Sequence, residues 1–341
     1  MIYIHVPFCR SFCTYCDFYS EIACRGRDGE TLESWLKCLC SEILERRDEI
    51  AATAGTNTLY IGGGTPSVLP LSAFSRILEA LGPADYDEFT VEVNPEDIVE
   101  KGPDYAAGLK ALGVNRISMG VQSLDDGMLR WMNRRHSADG ARRAFRILRE
   151  AGFTNISVDV IFGISHLTGA MLADTLDELI DWGPEHISAY QLSIEDGSAL
   201  ARMVEKGAYT EASEEHCRGQ YDYIGFRLRE AGYVHYEISN WALPGREAVH
   251  NSAYWTRQPY VGLGPGAHSL DFPGADVAPG GRRSWNSQEL SGWTRSCELL
   301  SEEEAREERL MLGLRTAAGV DGRCIPESDW FVSDSIIAGM I

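Results

Sequence analysis

Met1-Ile-Tyr3-Ile-His5-Val-Pro7-Phe8-Cys9-Arg-Ser-Phe-Cys13-Thr-Tyr15-Cys16 opens the chain. Its first five residues read as a β-strand that runs into a loop carrying three cysteines in the spacing C-x3-C-x2-C. Three thiolates on one tight loop can each take one iron of a [4Fe-4S] cube. The fourth iron then has no protein ligand and is open to a bound molecule. Two other readings stand beside this one: a zinc site, which would want a fourth nearby Cys or His, and chance clustering. His5 is close in sequence, but a strand residue four positions upstream need not reach the metal. Cys9, Cys13 and Cys16 are the candidate cluster ligands.

Outward from this loop, helical and strand patterns alternate. Apolar spacing predicts helices over 31–52, 72–81, 103–112, 124–151 with a break near His136, 168–181 and 211–231. Strands are expected at 58–61, 89–93, 116–119, 155–161, 186–192 and 234–238. Such a rhythm implies an α/β fold with a parallel sheet and crossover helices. Beyond residue 240 the rhythm is lost. Residues 241–300 read as loops with short strands, and 301–315 as a helix whose first turns hold Glu302, Glu303 and Glu304.

Glycine and polar residues fall where the strands end, the place where α/β folds build their sites. Gly62-Gly63-Gly64-Thr65 follows one strand; a close backbone approach to a ligand and a plain turn are both open there. Glu92, Gln122, Arg134 and Asp159 lie at or after successive strand ends. A carboxylate there can accept from ribose hydroxyls, and an arginine can pair with a carboxylate. Each alone also reads as a surface or capping group. His250-Asn251-Ser252-Ala253-Tyr254-Trp255 joins an imidazole, a common haem ligand, to two aromatic faces. The alternative is a loop histidine held by a hydrogen bond.

The formal charge of −20 opposes binding to nucleic acid and to anionic lipid. No apolar run reaches the length of a membrane span, and no secretory leader is visible, so a cytoplasmic location is expected. Nine cysteines without a secretory signal point away from a disulfide framework. Cys38 and Cys40 point to different sides of a helix, and these two together with Cys24, Cys217, Cys297 and Cys324 read as packing or surface residues.

The cysteine loop resembles that of the radical S-adenosylmethionine (SAM) superfamily. The flanking Tyr3-x-His5-x-Pro7-Phe8-Cys9 and the downstream motifs resemble the oxygen-independent coproporphyrinogen III oxidase (HemN) family and its HemW-type haem chaperone relatives. The resemblance implies a partial (β/α)6 TIM-like barrel over 1–240, with the cluster and SAM sites, and a smaller C-terminal α+β domain over 241–341. It implies SAM contacts at Gly63, Gly64, Thr65, Glu92, Gln122, Arg134, Asp159 and Ser193, with Tyr3 and Tyr15 near the cluster. The stretch around His250 matches the HNxxYW pattern of the HemW-like group and implies haem binding there.

Two departures from the HemN pattern favour the haem-chaperone expectation. The dehydrogenases carry a fourth cysteine two residues after the third, where this sequence has Phe18. They also carry an N-terminal extension that this chain is expected to lack, and the C-terminal domain is expected to be truncated. The leading expectation is therefore haem delivery to an apo-haemoprotein client. It comes with a [4Fe-4S] cluster, SAM, an electron donor for the cluster, and a peripheral association with the membrane but no span. Oxidative decarboxylation of coproporphyrinogen III to protoporphyrinogen IX is the enzymatic alternative, and no catalytic residue beyond the cluster and SAM sites is assigned.

Overall fold

Strand signals in the sequence become fourteen strands in a computed structural model that describes residues 1–16, 19–22, 28–53, 55–274 and 276–341. They are β1 (Ile2–Val6), β2 (Phe8–Cys9), β3 (Glu21–Ile22), β4 (Thr58–Gly63), β5 (Glu88–Val93), β6 (Arg116–Gln122), β7 (Ile156–Phe162) and β8 (His186–Gln191). Then come β9 (Val234–Glu237), β10 (Asn240–Ala242), β11 (Val261–Leu263), β12 (His268–Asp271), β13 (Arg282–Asn286) and β14 (Arg295–Leu299). One nine-stranded sheet runs in the order β11-β1-β4-β5-β6-β7-β8-β10-β9. Strands β11 through β8 in that order are parallel, and β10 and β9 are antiparallel additions. The two edge strands, β11 and β9, do not pair with each other, so the barrel is partial.

Alternation along the parallel strands sorts the side chains. Leu59, Ile61, Val91, Ile117, Met119, Val158, Val160 and Ile187 are buried in the apolar core on one face. The other face carries Tyr60, Glu92, Arg116, Ser118, Asp159, Ser188 and Tyr190, which line a central cavity. A strand's period of two is what lets one sheet serve a dry core and a polar lumen at once.

The helices sit close to their expected places, with informative differences at their ends. The pattern that begins at 103 belongs to a longer helix, Pro95–Ala111, interrupted by Gly102 at φ 73° and followed by Pro103. The break near His136 is real: helices Asp126–Trp131 and Ala138–Glu150 flank it, the second capped by the Ser137 side chain. Glu304 closes a capping box with Ser301 at the start of helix Glu302–Gly313. Within 241–300, expected to hold only loops and short strands, residues Val249–Trp255 form a helix. The boundary expected between 240 and 241 falls inside β10, and β11 joins the main sheet beside β1.

A buried ion pair fastens this late segment to the first helix, Asp28–Glu45. Arg46 pairs with Glu42 at 3.0 Å and donates to the Gly262 carbonyl at 2.6 Å and to Ser269 Oγ at 3.0 Å. Glu42 in turn accepts from Gly264 N, Asn286 Nδ2 and Trp293 Nε1 at 2.8–3.0 Å. Every strong lone pair and proton of the pair is matched, the condition under which a buried pair holds. Arg46→Met is expected to lower stability by about 3–5 kcal/mol, since Glu42 is left buried without its cation. Urea unfolding checks this, and a loss within that of a surface substitution would remove the pair from its fastening role.

Candidate functional site

Cys9, Cys13 and Cys16 all line the central cavity, of about 370 Å³. Their loop is anchored on three sides. Thr14 N donates to the Met132 carbonyl at 3.0 Å, and Thr14 Oγ1 donates to the Trp131 carbonyl at 2.9 Å. Leu200 N donates to the Thr14 carbonyl at 2.8 Å. Arg134 Nη1 reaches Cys13 Sγ at 3.4 Å, and Cys9 Sγ lies 3.3 Å from Thr65 Oγ1. Among the described residues no three His, Cys, Asp or Glu side chains gather tightly enough to hold one metal ion. Thiolates that each take a different iron of a cube need no such common point. Phe18 and Cys24 lie outside the described residues.

The glycine run after β4 is built against this loop. Gly64 N donates to the Val6 carbonyl at 2.8 Å and Thr65 N to the Phe8 carbonyl at 2.7 Å. A Cβ on Gly64 would lie 2.8 Å from the Phe8 carbonyl oxygen and 3.1 Å from Cys9 Sγ, so only glycine fits. Gly63, at φ 109°, would press a Cβ into the His5 ring at 2.7 Å. The run is thus packed against the chain's own first strand and cysteine loop.

Glu92, Gln122, Arg134, Asp159 and Ser193, from five segments, line the same cavity, as does Tyr15. Glu92 accepts from Tyr60 OH at 2.7 Å and from Gly63 N at 3.1 Å. Burial pushes its carboxyl up to about 7, and burial pushes Asp159 up to about 6 against the pull of its Ser188 hydrogen bond. Gln122 sits at a bulge in β6 with φ 67°, and its Oε1 is buried without a partner. Arg134 Nη2 donates to Asn94 Oδ1 and to the Gly120 carbonyl, both at 2.7 Å, while its Nε has no partner. Strained backbone and orphaned polar atoms facing a cavity are the marks of a site shaped for a polar ligand. A zwitterionic, ribose-bearing molecule fits this donor set: carboxylates for an amine and hydroxyls, a guanidinium for a carboxylate.

Tyr3 and His250 do not line the cavity. Tyr3 OH is bonded to His5 Nδ1 at 3.1 Å. His250 is 1% exposed, with Nδ1 bonded to Thr58 Oγ1 at 2.8 Å and Nε2 to Tyr254 OH at 3.0 Å. Its backbone N donates to Glu88 at 2.9 Å. Burial pushes its imidazole down to about 3, so it stays neutral. The expectation that His250 ligates haem iron meets a ring already engaged in this structure, with Nδ1 on Thr58 at the start of β4 and Nε2 on Tyr254 of its own helix. Its neighbour Asn251 is the member of that motif that lines the cavity. Arg116 is a further cavity residue that sequence reading misses; it is 2% exposed, 3.9 Å from Glu88, with Nε unpartnered. Its place on the inward register of β6, two before Ser118, is the signal that finds it.

A family model described as the radical SAM superfamily matches residues 3–179. The heme chaperone HemW of Synechocystis sp. is 34% identical across 98% of this chain and 82% of its own length. HemW of Bacillus subtilis is 31% identical across 95% of this chain and 86% of its own length. The mouse radical S-adenosyl methionine domain-containing protein 1, mitochondrial, is 33% identical across 94% of this chain and 74% of its own length. In structure, Escherichia coli coproporphyrinogen III oxidase (HemN) superposes with a TM-score of 0.75 at 22% identity, over 92% of this chain and 75% of that one. At that identity the likeness speaks for the fold. No helix among the described residues is long and apolar enough to cross a membrane.

Two outcomes follow at this site. Ala at Cys9, Cys13 or Cys16 is expected to abolish the visible absorbance of the reconstituted cluster, while Ala at Cys38 or Cys40 leaves it in place; loss in a folded Cys38→Ala protein would reassign the ligands. Glu92 binds a proton in the folded state at pH values where the unfolded chain has lost it, so its contribution falls as pH rises from about 4.5 towards 7. Glu92→Gln protein without cofactors is accordingly expected to gain stability over wild type as pH rises from about 5 to 8, read as a growing difference in urea midpoint. A pH-independent difference would mean that the buried carboxyl is not proton-linked.

Proposed function

The chain belongs to the radical SAM superfamily and, within it, to the HemW family, and from that premise we propose that it binds haem and passes it to apo-haemoproteins. The observation that carries this reading is sequence identity above 30% with HemW heme chaperones over nearly the whole chain. The cavity supports the accompanying cofactors. Cys9, Cys13 and Cys16 would hold a [4Fe-4S] cluster, and Gly63, Gly64 and Thr65 would present backbone and hydroxyl groups to the SAM amine. Arg134 would pair with the SAM carboxylate, and Glu92 and Asp159 would accept from ribose hydroxyls, with Gln122 and Ser193 completing the wall.

When bound, the cluster supplies the electron that cleaves SAM reductively. The chain's own part is to position. Arg134 spans Cys13, Asn94 and Gly120, so the group that pairs with the SAM carboxylate is tied to the cluster loop. Glu92 is tied by Gly63 N to the glycine run. A one-ångström error in the cysteine loop is thereby shared by both ends of the SAM molecule. A cytoplasmic location, an electron donor for the cluster and a peripheral approach to membrane-bound clients complete the proposal.

The haem reading is tested by titrating haemin into the anaerobically reconstituted full chain, beside an assay with coproporphyrinogen III, SAM and reductant. Saturable binding with a shifted Soret band is expected, with no protoporphyrinogen. His250→Ala is expected to lose stability and to keep the haem spectrum, because its ring braces a helix. Robust protoporphyrinogen formation would overturn the chaperone reading in favour of decarboxylation.

A further inference from the structure

A guanidinium carries five N–H donors and is seldom buried unless they are matched. Among the described residues Arg46 and Arg116 are buried, and they differ sharply on this point. Arg46 donates to Glu42, Glu49, the Gly262 carbonyl and Ser269 Oγ. Arg116, 2% exposed, donates no hydrogen bond among the described residues. Its ion pair with Glu88 spans 3.9 Å, too long for a hydrogen bond. Both Glu88 oxygens are already taken, by Val249 N and His250 N at 2.9 Å.

Arg116 lines the central cavity from the first position of β6. Gly120, four residues on, is where Arg134 ties the same strand to Cys13. Four strand residues span roughly 13 Å, so Arg116 starts from the end of the lumen away from the cysteine loop. Asn251 lines the cavity too, and its side-chain amide makes no hydrogen bond among the described residues. It follows His250, whose backbone N is on Glu88, the same carboxylate that Arg116 faces. Two sets of unspent donors, from β6 and from helix Val249–Trp255, therefore meet at the inner end of one cavity. Glu92 and Asp159 are near enough to feel the Arg116 charge.

We propose that Arg116 and Asn251 form a subsite at the inner end of the lumen for the carboxylate of a second ligand, bound beneath SAM. The inference goes beyond the haem reading. It takes from the cofactor assignment only that Arg134 holds the SAM carboxylate. A guanidinium buried without hydrogen bonds is costly, and a ligand that supplies them recovers that cost on binding. The planar fork of arginine matches a carboxylate with two parallel bonds, and the Asn251 amide adds a third donor. A doubly charged phosphate meets twice the repulsion from Glu92 and Asp159 that a carboxylate meets, so the subsite favours the monoanion.

Acetate is titrated into the anaerobically reconstituted full chain at constant pH and ionic strength, in exchange for chloride, with and without SAM. Neutral acetamide and inorganic phosphate are the parallel probes. The thermal midpoint and magnetisation transfer from protein to the acetate methyl are read, with cluster iron content as the folding control. Expected is a saturable response to acetate that persists with SAM bound, a weaker one to phosphate and none to acetamide. Arg116→Met is expected to weaken acetate roughly ten- to a hundredfold and to retain SAM binding. Asn251→Leu is expected to weaken acetate as well, and it decides alone where Arg116→Met loses its cluster iron. No saturable response in wild type, or wild-type acetate binding in both variants, would overturn the subsite. Loss of the response when SAM is added would return Arg116 to the SAM site, and an equal response to phosphate would overturn the carboxylate class. The haem reading is untouched by these outcomes and stands or falls on the haemin titration.

Discussion

Backbone contact between the cysteine loop and the glycine run is the constraint on which the site depends. Thr65 N reaches the Phe8 carbonyl at 2.7 Å, and Gly64 packs so closely that no side chain fits between it and the loop. Because β1 and β4 are parallel neighbours, the loop leaving one and the run leaving the other emerge side by side. The same register puts the Glu92 carboxylate within reach of Gly63 N. Two chain segments are thus joined by hydrogen bonds between peptide groups, and the Glu92 carboxylate ties in a third.

The polar lumen follows from that arrangement and has its own cost. Glu92, Asp159, Arg116, His186 and His250 sit largely or wholly out of water, and burial holds the two histidines neutral and the two acids partly protonated. Isolated buried charge is expensive, and the acids and histidines each keep neutral hydrogen-bond partners: Tyr60 and Gly63 for Glu92, Ser188 for Asp159, Ser157 and Tyr236 for His186, and Thr58 and Tyr254 for His250. Helix Val249–Trp255 is fastened at the starts of β4 and β5, with His250 Nδ1 bonded to Thr58 and Glu88 accepting from Val249 N and His250 N. The motif's histidine thus also ties its helix to the sheet.

Periodicity in the sequence locates the parallel strands well, because apolar residues alternate with the polar ones that face the lumen. It also finds Glu92 near the end of β5 and Gln122 at the end of β6, whereas Asp159 lies in the middle of β7 and faces the lumen; the three cysteines stand out by their spacing instead. It does not say which polar residue of a short motif faces inward. His250 and Asn251 differ by about 100° around a helix, and only packing decides which opens into the cavity. Nor does it reveal the Glu42–Arg46 pair, whose partners Gly262, Gly264, Asn286 and Trp293 are more than two hundred residues away.

The pairing of β1 with β11 bears on how the protein is made. Strand β1 gains its second neighbour only when residues Val261–Leu263 have been synthesised. Pairings of such large sequence separation form slowly and leave an open strand edge meanwhile. Until then the strand that carries the cysteine loop is held on one side only, so the cysteines reach their final mutual positions late in synthesis. The final placement of the cysteine loop is thereby tied to the synthesis of β11 rather than to the emergence of the cysteines themselves.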